Sequence, residues 1–283
     1  MRIIDYSYIT GTELKDNIFT IPELDREKPA VQQFVELGDL NIELSCPTAL
    51  ICIDGTVVHQ SEAGLITANA KYAPAIKRTS VYAAHEWASS FKNIEWLVSM
   101  EIVNGTCAAA IQAVHRANQM LMDPMSDVKE VIIIGHERIC PDTVRLFKEL
   151  GINIRCGDGL VYMKLGVGYD ITRVEWKWAY NSNPFTFTQE TLTTLVPSYR
   201  IGYVKLHGTG TPSNTEAEKV LEELATPLTY KQVIGHTQGI SALIETCLVL
   251  DDPKIRGRIL VTANGLGGYY GAFTLTKDIA RFS

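Results

Sequence analysis

The sequence predicts an α/β fold built in layers from two pseudo-repeated halves, in a single domain that spans residues 1–283. Several short apolar runs are bounded by turn residues, a pattern typical of strands that are buried on both faces. These runs lie at residues 49–53, 96–100, 131–134, 160–165, 203–206, 259–263 and 272–275. Helical patterns separate several of the runs, and such alternation favours helices packed against sheets. The order strand, helix, strand occurs around 96–134 and again around 203–263, which predicts the two halves.

The helices are predicted from the spacing of apolar residues and from the chemistry of their first turns. After Cys107, apolar residues repeat at helical spacing, at Ala110, Ile111, Val114, Ala117 and Leu121. Residues 215–224 begin with Thr-Glu-Ala-Glu, and a polar, acidic first turn suits a helix N-terminus. Residues 239–250 are more apolar, so we expect that helix to be more deeply buried. A short helix is expected around residues 28–37.

Composition excludes several classes of protein. With 283 residues, of which 46% are hydrophobic and 20% charged, the chain can bury a large core. Its net charge of −6 argues against a general nucleic-acid binder. No apolar run approaches the length that spans a membrane, and the N-terminus lacks the apolar region of a signal peptide. The six cysteines show no CxxC pairing, so we expect reduced thiols and a cytoplasmic protein.

The first candidate for chemistry is Cys107, within the segment Val-Asn-Gly-Thr-Cys-Ala-Ala-Ala at residues 103–110. There a strand ends, a glycine-containing turn follows, and the cysteine opens an alanine-rich helix. The positive end of the helix dipole predicts a lowered pKa for this thiol and preferential alkylation near neutral pH. The same segment also fits a buried cysteine at a helix start that has no chemical role.

Two further segments place a histidine after a predicted strand. Residues 205–212 read Lys-Leu-His-Gly-Thr-Gly-Thr-Pro and contain His207, and residues 231–239 read Lys-Gln-Val-Ile-Gly-His-Thr-Gln-Gly and contain His236. Their glycines permit unusual backbone angles. Taken singly, each histidine also fits an ordinary loop residue. No cluster of histidines and cysteines has the spacing of metal ligands, so we expect neither a metal ion nor another cofactor.

A fourth segment, residues 264–271, reads Asn-Gly-Leu-Gly-Gly-Tyr-Tyr-Gly and follows the predicted strand at 259–263. A glycine-rich turn exposes backbone N–H groups, which can form an oxyanion hole. The segment also fits a wide hairpin. A dinucleotide-binding loop is excluded because that motif needs a helix after the turn, and none is predicted here.

Together and in this order, the four segments resemble the beta-ketoacyl synthases, the decarboxylating ketosynthases of the thiolase superfamily. The shared features are a cysteine that caps a helix, an HGTGTP loop, a lysine five residues before a histidine, and a Gly-x-Gly-Gly loop. In this chain they are Cys107, residues 207–212, Lys231 with His236, and residues 265–268. The resemblance covers about residues 96–276, with a weak match before that at a strand end at residues 9–11. It implies the thiolase-like α/β/α/β/α arrangement of layers.

Several departures from the family pattern affect what the resemblance implies. The chain is shorter than a ketosynthase, so loops that build the acyl tunnel and the dimer cap must be trimmed. Leu266 stands where the family has a gating phenylalanine, and Thr215 replaces an aspartate, although Glu218 fits the glutamate that follows. Residues 264–271 contain no second cysteine, unlike degradative thiolases. A histidine at 236 favours the elongating type of ketosynthase, whereas the short chain favours the initiating type.

The resemblance implies a mechanism in two stages. Cys107 would take an acyl group from an acyl carrier protein or a coenzyme A thioester. His207 and His236 would then stabilise the enolate that forms as a malonyl-type thioester loses carbon dioxide. Lys231 would tune protonation in the site, and the high cost of burying a lysine without an opposite charge favours such a role.

The glycine-rich loop would complete this site. The resemblance implies that the N–H groups of Cys107 and Leu266 hold the tetrahedral oxyanion, in a gating loop that continues through Gly267 and Gly268.

Two other functions remain open. The chain could be an acyltransferase that passes the acyl group from the same cysteine to oxygen or nitrogen. It could also be a non-catalytic partner subunit that shapes the tunnel of another ketosynthase. The resemblance implies a dimer, either with a second copy or with another ketosynthase-like chain, through the strand that leads to Cys107. Trp87 and Trp96 are candidate anchors of that interface.

Overall fold

A computed structural model describes residues 1–25, 28, 30–53, 58–61, 64–67, 76–149, 151–178, 200–266 and 268–277. Its strands are β1 (Arg2–Thr10), β2 (Glu13–Lys15), β3 (Ile18–Thr20), β4 (Thr48–Ile53), β5 (Val58–Ser61), β6 (Gly64–Thr67), β7 (Leu97–Val103), β8 (Glu130–Glu137), β9 (Cys156–Gly157), β10 (Gly159–Gly166), β11 (Ile171–Trp178), β12 (Tyr203–Lys205), β13 (Thr226–Leu228), β14 (Gly257–Gly265) and β15 (Tyr269–Lys277). Its helices are α1 (Ala30–Leu37), α2 (Ile76–Ser89), α3 (Ala109–Met122), α4 (Pro141–Glu149), α5 (Pro212–Leu224), α6 (Lys231–Ile234) and α7 (Ser241–Asp251).

The two large sheets have the same plan. The first has the order β1-β10-β8-β4-β7, and the second has the order β11-β15-β14-β12-β13. In the first, β4 is parallel to β7 and β8, while β10 is antiparallel to β8 and β1. In the second, β12 is parallel to β13 and β14, while β15 is antiparallel to β14 and β11. The two halves predicted from the sequence are therefore confirmed, and β4 corresponds to β12.

Helices form the other three layers. Helix α3 contacts strands of both large sheets, and α7 contacts strands of both sheets as well as α3, so these two helices lie between the sheets. Phe34 of α1 and Trp87 of α2 pack on the outer face of the first sheet. Leu221 of α5 packs on the outer face of the second. The predicted α/β/α/β/α order of layers is confirmed.

Alternate side chains of the central strands enter different parts of the core. Ile51 and Ile133 point into the layer of α3 and α7, while their neighbours Leu50 and Ile132 point toward α1 and α2. Because helices cover both faces, the strands are apolar throughout rather than alternating. Alanines at 109, 110, 113 and 117 are fully buried, and their small side chains let α3 fit between two sheets.

Most predicted elements are confirmed, with shifted boundaries. The seven predicted strands correspond to β4, β7, β8, β10, β12, β14 and β15. Of the other strands in the two large sheets, β11 and β13 were not predicted, and β1 was predicted only at its end. Helix α5 begins at Pro212, three residues before the predicted start, because proline is well suited to a first helical turn. Residues 238–240 form a 3₁₀ turn before α7, which is buried along almost its whole length as expected. No helix among the described residues combines the length and the apolar character needed to cross a bilayer.

The strand that leads to Cys107 lies at a sheet edge. Among the described residues, β7 pairs with β4 alone. Apolar side chains are exposed on it and on the turn before it: Trp96 is 41% exposed and Val98 is 51% exposed. Trp87, in contrast, is 1% exposed and belongs to the core beneath α2, so the prediction that it anchors an interface is wrong.

Candidate active site

A sharp turn presents Cys107 at the start of the central helix α3. After β7, Thr106 opens the 3₁₀ turn Thr106–Ala108 with a φ of 50°, a conformation that is strained for a β-branched residue. The Thr106 hydroxyl donates to the carbonyl of Leu266 at 3.1 Å and so ties this turn to the glycine-rich loop. A Cβ at Gly265 would lie 2.4 Å from that hydroxyl, so only glycine permits the close approach.

In the second half, the central helix α7 also begins after a strained 3₁₀ turn, and it begins beside the start of α3. Gln238 opens the 3₁₀ turn before α7 with a φ of 44°, and Gly235, with a φ of 76°, precedes His236. The 3₁₀ turns at the starts of α3 and α7 contact one another. The pseudo-repeat thus places a cysteine from one half beside a histidine from the other.

Cys107, His207 and His236 line one cavity of about 630 Å³. The imidazole rings of the two histidines have centroids 5.7 Å apart and planes at 85° to each other. The cavity volume lies in the range of small-molecule sites. Three segments that are far apart in the sequence are therefore brought together, as the motif order predicts.

Both histidines present a free nitrogen. Nδ1 of His236 lies 2.9 Å from the hydroxyl of Ser241, which also accepts the backbone N–H of Thr237 at 3.0 Å. Within the part of the chain that is described, Nε2 of His236 and Nδ1 of His207 are buried and have no hydrogen-bond partner. Buried polar atoms are nearly always paired in proteins, so these nitrogens are suited to bind a group that enters the cavity.

The histidines are neutral at physiological pH. Burial lowers the pKa of His207 well below its ordinary value, and the positive charges of Lys231 and Lys205 act in the same direction. The pKa of His236 is lowered well below its ordinary value by the same burial and the same two lysines. A neutral imidazole can donate one N–H while its other nitrogen accepts.

Burial has the opposite consequence for Cys107. It raises the pKa of the thiol to about 12, although the charge of Lys231 and the backbone N–H groups of Leu266 and Cys107 itself lower it. Glu137, a fully buried carboxylate nearby, raises the pKa further. The predicted lowering is therefore wrong, because the cysteine is enclosed at the helix start and loses its contact with water.

We expect alkylation of Cys107 by iodoacetamide to speed up about tenfold per pH unit from pH 7 to pH 10, because only the thiolate reacts. With the pKa raised to about 12, the rate should not level off near pH 9, where an ordinary thiol does. Peptide mapping after timed quenching measures the rate of alkylation at Cys107. The half-buried Cys140, followed in the same digest, is the internal control for the activity of the reagent. A plateau at or below pH 9 would contradict the raised pKa.

Lys231 is buried but not alone. Its Nζ donates to Oε1 of Glu245 at 2.6 Å, and Oε2 of the same carboxylate accepts from Nζ of Lys205 at 2.7 Å. The interpretation of Lys231 as a lysine without an opposite charge is therefore wrong. Lys205 and Glu245 were not assigned a role from the sequence, although a charged residue in the middle of a mostly apolar helix, as Glu245 is in α7, is a usable signal.

The cavity is bordered by residues that the sequence assigned to the site and by others that it did not. Leu266 and Gly268 line it, while Gly267 lies outside the described residues. Glu218 accepts the N–H of Gly208 at 3.0 Å, so this glutamate holds the loop that follows His207. Phe147 of α4 packs on the ring of His236 with centroids 5.4 Å apart, a contact that the sequence did not predict.

Comparison with known proteins finds likeness at the level of structure. No protein-family model and no curated protein matches the sequence. The ishigamide ketosynthase/chain length factor is 12% identical with a TM-score of 0.68, over 96% of this chain and 98% of that chain. A ketosynthase from module 6 of the bacillaene synthase of Bacillus subtilis 168 is 14% identical with a TM-score of 0.62, over 84% of this chain.

The match to the bacillaene ketosynthase spans 55% of that chain, which is about half its length. A beta-ketoacyl synthase from Burkholderia phymatum STM815 is 14% identical with a TM-score of 0.62, over 82% of this chain and 76% of that chain. The resemblance found in the motifs is thus matched by the arrangement of strands and helices. This chain has the fold of the ketosynthases in a shortened form.

Proposed function

We propose that this chain is a condensing enzyme of the beta-ketoacyl synthase kind, an acyltransferase that joins a malonyl-type extender to an acyl group held on Cys107. The observation that carries the proposal is the meeting of Cys107 with two neutral histidines, His207 and His236, in one cavity. A nucleophile and two N–H donors for a developing enolate are the groups that this chemistry requires.

The first stage loads the cysteine. Sγ of Cys107 attacks the carbonyl carbon of an acyl thioester on an acyl carrier protein or coenzyme A. Because burial keeps this thiol protonated, its proton passes to one of the neutral imidazoles as the bond forms. The carrier sulfur leaves with the electron pair of its C–S bond and takes that proton, so the imidazole is neutral again.

The second stage makes the carbon–carbon bond. A malonyl-type thioester binds with its carbonyl oxygen toward His207 and His236. The bond to its carboxylate breaks, carbon dioxide leaves, and the electron pair forms an enolate whose oxygen accepts the imidazole N–H groups. The enolate carbon then attacks the acyl carbonyl on Cys107, whose oxyanion accepts N–H bonds from Cys107 and Leu266. Collapse of this intermediate breaks its C–S bond, Sγ of Cys107 leaves with the electron pair and takes a proton from water, and a β-ketoacyl thioester is released.

Ser241 sets the tautomer of His236 for this step. Its hydroxyl oxygen accepts the N–H of Thr237 and lies 2.9 Å from Nδ1 of His236 and 3.1 Å from the Thr237 hydroxyl. In the proposed arrangement the Thr237 hydroxyl donates to Ser241, and Ser241 donates to Nδ1 of His236. With Nδ1 as acceptor, the ring proton lies on Nε2, which is the buried atom without a partner among the described residues. The network therefore supports His236 as a donor into the cavity.

The test is an assay with a malonyl thioester labelled in its free carboxylate, offered to the protein together with an acyl donor. A condensing enzyme releases labelled carbon dioxide and forms a β-ketoacyl product. Transfer of the acyl group to an alcohol or amine without carbon dioxide would show an acyltransferase of a different kind. Neither product from the protein alone, with activity when a ketosynthase is added, would show a partner subunit. That last function is favoured by the likeness to a chain named ketosynthase/chain length factor over 96% of this chain.

We further propose that the protein pairs through β7, with a second copy or with another ketosynthase-like chain. An edge strand with exposed apolar side chains can extend its sheet into that of a partner. Light scattering at micromolar concentration should give the mass of two chains. Val98→Lys, which places a charge on the exposed side of β7, should reduce the measured mass to that of one chain. Val167→Lys, at a position that is 63% exposed outside β7, is the matched control and should remain a dimer. A wild-type mass of one chain would exclude the homodimer and lead to a search for a different partner.

A further inference from the structure

Two buried lysines share one carboxylate behind the cavity. Lys205 is 0% exposed, Lys231 is 3% exposed and Glu245 is 1% exposed. Each oxygen of Glu245 accepts from one lysine, at 2.7 Å from Lys205 and 2.6 Å from Lys231. We refer to these three residues as the lysine–glutamate cluster. Lys205 is the last residue of β12, and this strand leads into the loop that carries His207 two residues later.

Charged and titratable groups lie on several sides of this cluster, among them Cys107, which interacts with Lys231. Glu218 of α5 interacts electrostatically with both lysines and is itself fixed by the N–H of Gly208. Tyr230, just before α6, faces Glu245. On the cavity side stand His207 and His236, both of which are influenced by the charges of the two lysines.

Stability alone does not account for Lys205. Without it, Lys231 and Glu245 would remain as a buried pair of one cation and one anion. A second buried cation adds a large desolvation cost, which the shared carboxylate offsets only in part. Residues that violate local rules of this kind are concentrated at functional sites.

We propose that Lys205 is a positioning residue for the condensing site, which holds Glu245 and Lys231 in place and supplies a positive charge beside His207 and His236. This inference rests on the proposed function. The charge adds to burial in keeping both imidazoles neutral, so that they enter the reaction as N–H donors, and it favours the negative enolate beside them. Burial lowers the pKa of Lys205 itself to about 8; Glu245 opposes this shift and the positive charge of Lys231 adds to it, so Lys205 stays mostly protonated at neutral pH.

The test compares Lys205→Met, which removes the charge, with Lys205→Arg, which retains it. We expect Lys205→Met to fold with a Tm at or above that of the wild type, because a one-to-one pair remains. Its kcat for release of carbon dioxide should fall about tenfold, the rate equivalent of one pK unit of charge interaction, with little change in KM. Lys205→Arg should recover most of the loss.

Titration of the histidine rings, followed by NMR with labelled imidazole carbons, provides a readout that does not depend on turnover. In Lys205→Met the titrations of His207 and His236 should move to higher pH, whereas in Lys205→Arg they should match the wild type. Lys164→Met, which removes a strand lysine paired with Glu130 outside the cavity, is the control and should change neither readout.

Histidine titrations that coincide in Lys205→Met and the wild type would overturn the proposal. So would a loss of folding in both Lys205→Met and Lys205→Gln, since Lys205 would then be structural. If the wild type releases no carbon dioxide, the proposed function fails, but the NMR comparison still decides whether Lys205 acts on the histidines.

Discussion

Replacing His207 or His236 by alanine is expected to slow the release of carbon dioxide from a malonyl thioester by about two to three powers of ten. The reason is that the enolate oxygen accepts N–H bonds from both rings, so removal of either donor leaves charge uncompensated in a buried cavity. Self-acylation of Cys107 should survive in part in each variant, because the enolate does not take part in that step. Capture of labelled carbon dioxide and mass measurement of the acylated protein follow the two stages separately.

The matched control is His115→Ala. His115 is a half-buried histidine on α3, outside the set of residues that line the cavity. It should retain the wild-type rate of both stages. Normal turnover of malonyl thioester by both His207→Ala and His236→Ala would show that the ketosynthase proposal is wrong.

Glu245→Gln is expected to lower the free energy of unfolding by about 3–5 kcal/mol, the usual cost of removing one partner from a buried ion pair. The change leaves Lys205 and Lys231 in the core with no carboxylate between them. Urea unfolding at pH 7, followed by circular dichroism, measures the loss as a lower midpoint with an unchanged slope.

Two further variants sharpen this experiment. The double variant Lys205→Met with Glu245→Gln should recover part of the lost stability, because one buried cation remains instead of two. Glu216→Gln, which removes a carboxylate from an exposed ion pair with Lys219, should leave the midpoint unchanged. A midpoint for Glu245→Gln that equals that of Glu216→Gln would contradict the account of Glu245 as the carboxylate that holds both buried lysines.

Patterns that repeat locally in the chain predicted most of the fold. Strands such as β4 and β8 are apolar throughout because helices cover both of their faces, so their sequences differ clearly from those of loops. Most of strand β1 was missed because it lies at a sheet edge, where most of its residues are at least partly exposed. Its pairing with β10 joins residues more than a hundred positions apart, and no local pattern records such a contact.

In the site, too, the residues in local motifs were predicted, whereas features that depend on contacts between distant residues were not. Cys107, His207 and His236 stand in motifs whose order could be recognised along the chain. Glu245 could not be assigned a role, because its role depends on ion pairs with Lys231 and Lys205, which lie 14 and 40 residues away in the sequence. The pKa of Cys107 was predicted in the wrong direction for a related reason: the sequence reveals the helix end, but the degree of burial is a property of the whole fold.

The repeated plan of the two sheets has a consequence for how this chemistry can be inherited. Under the proposed function, the first half contributes the nucleophile Cys107, while His207, His236 and Lys231 all come from the second. Loss of the cysteine would therefore abolish chain transfer and leave the groups for decarboxylation whole. Descendants of such a molecule can lose chain transfer while keeping decarboxylation, since the nucleophile and the decarboxylating groups are encoded in different halves of the chain.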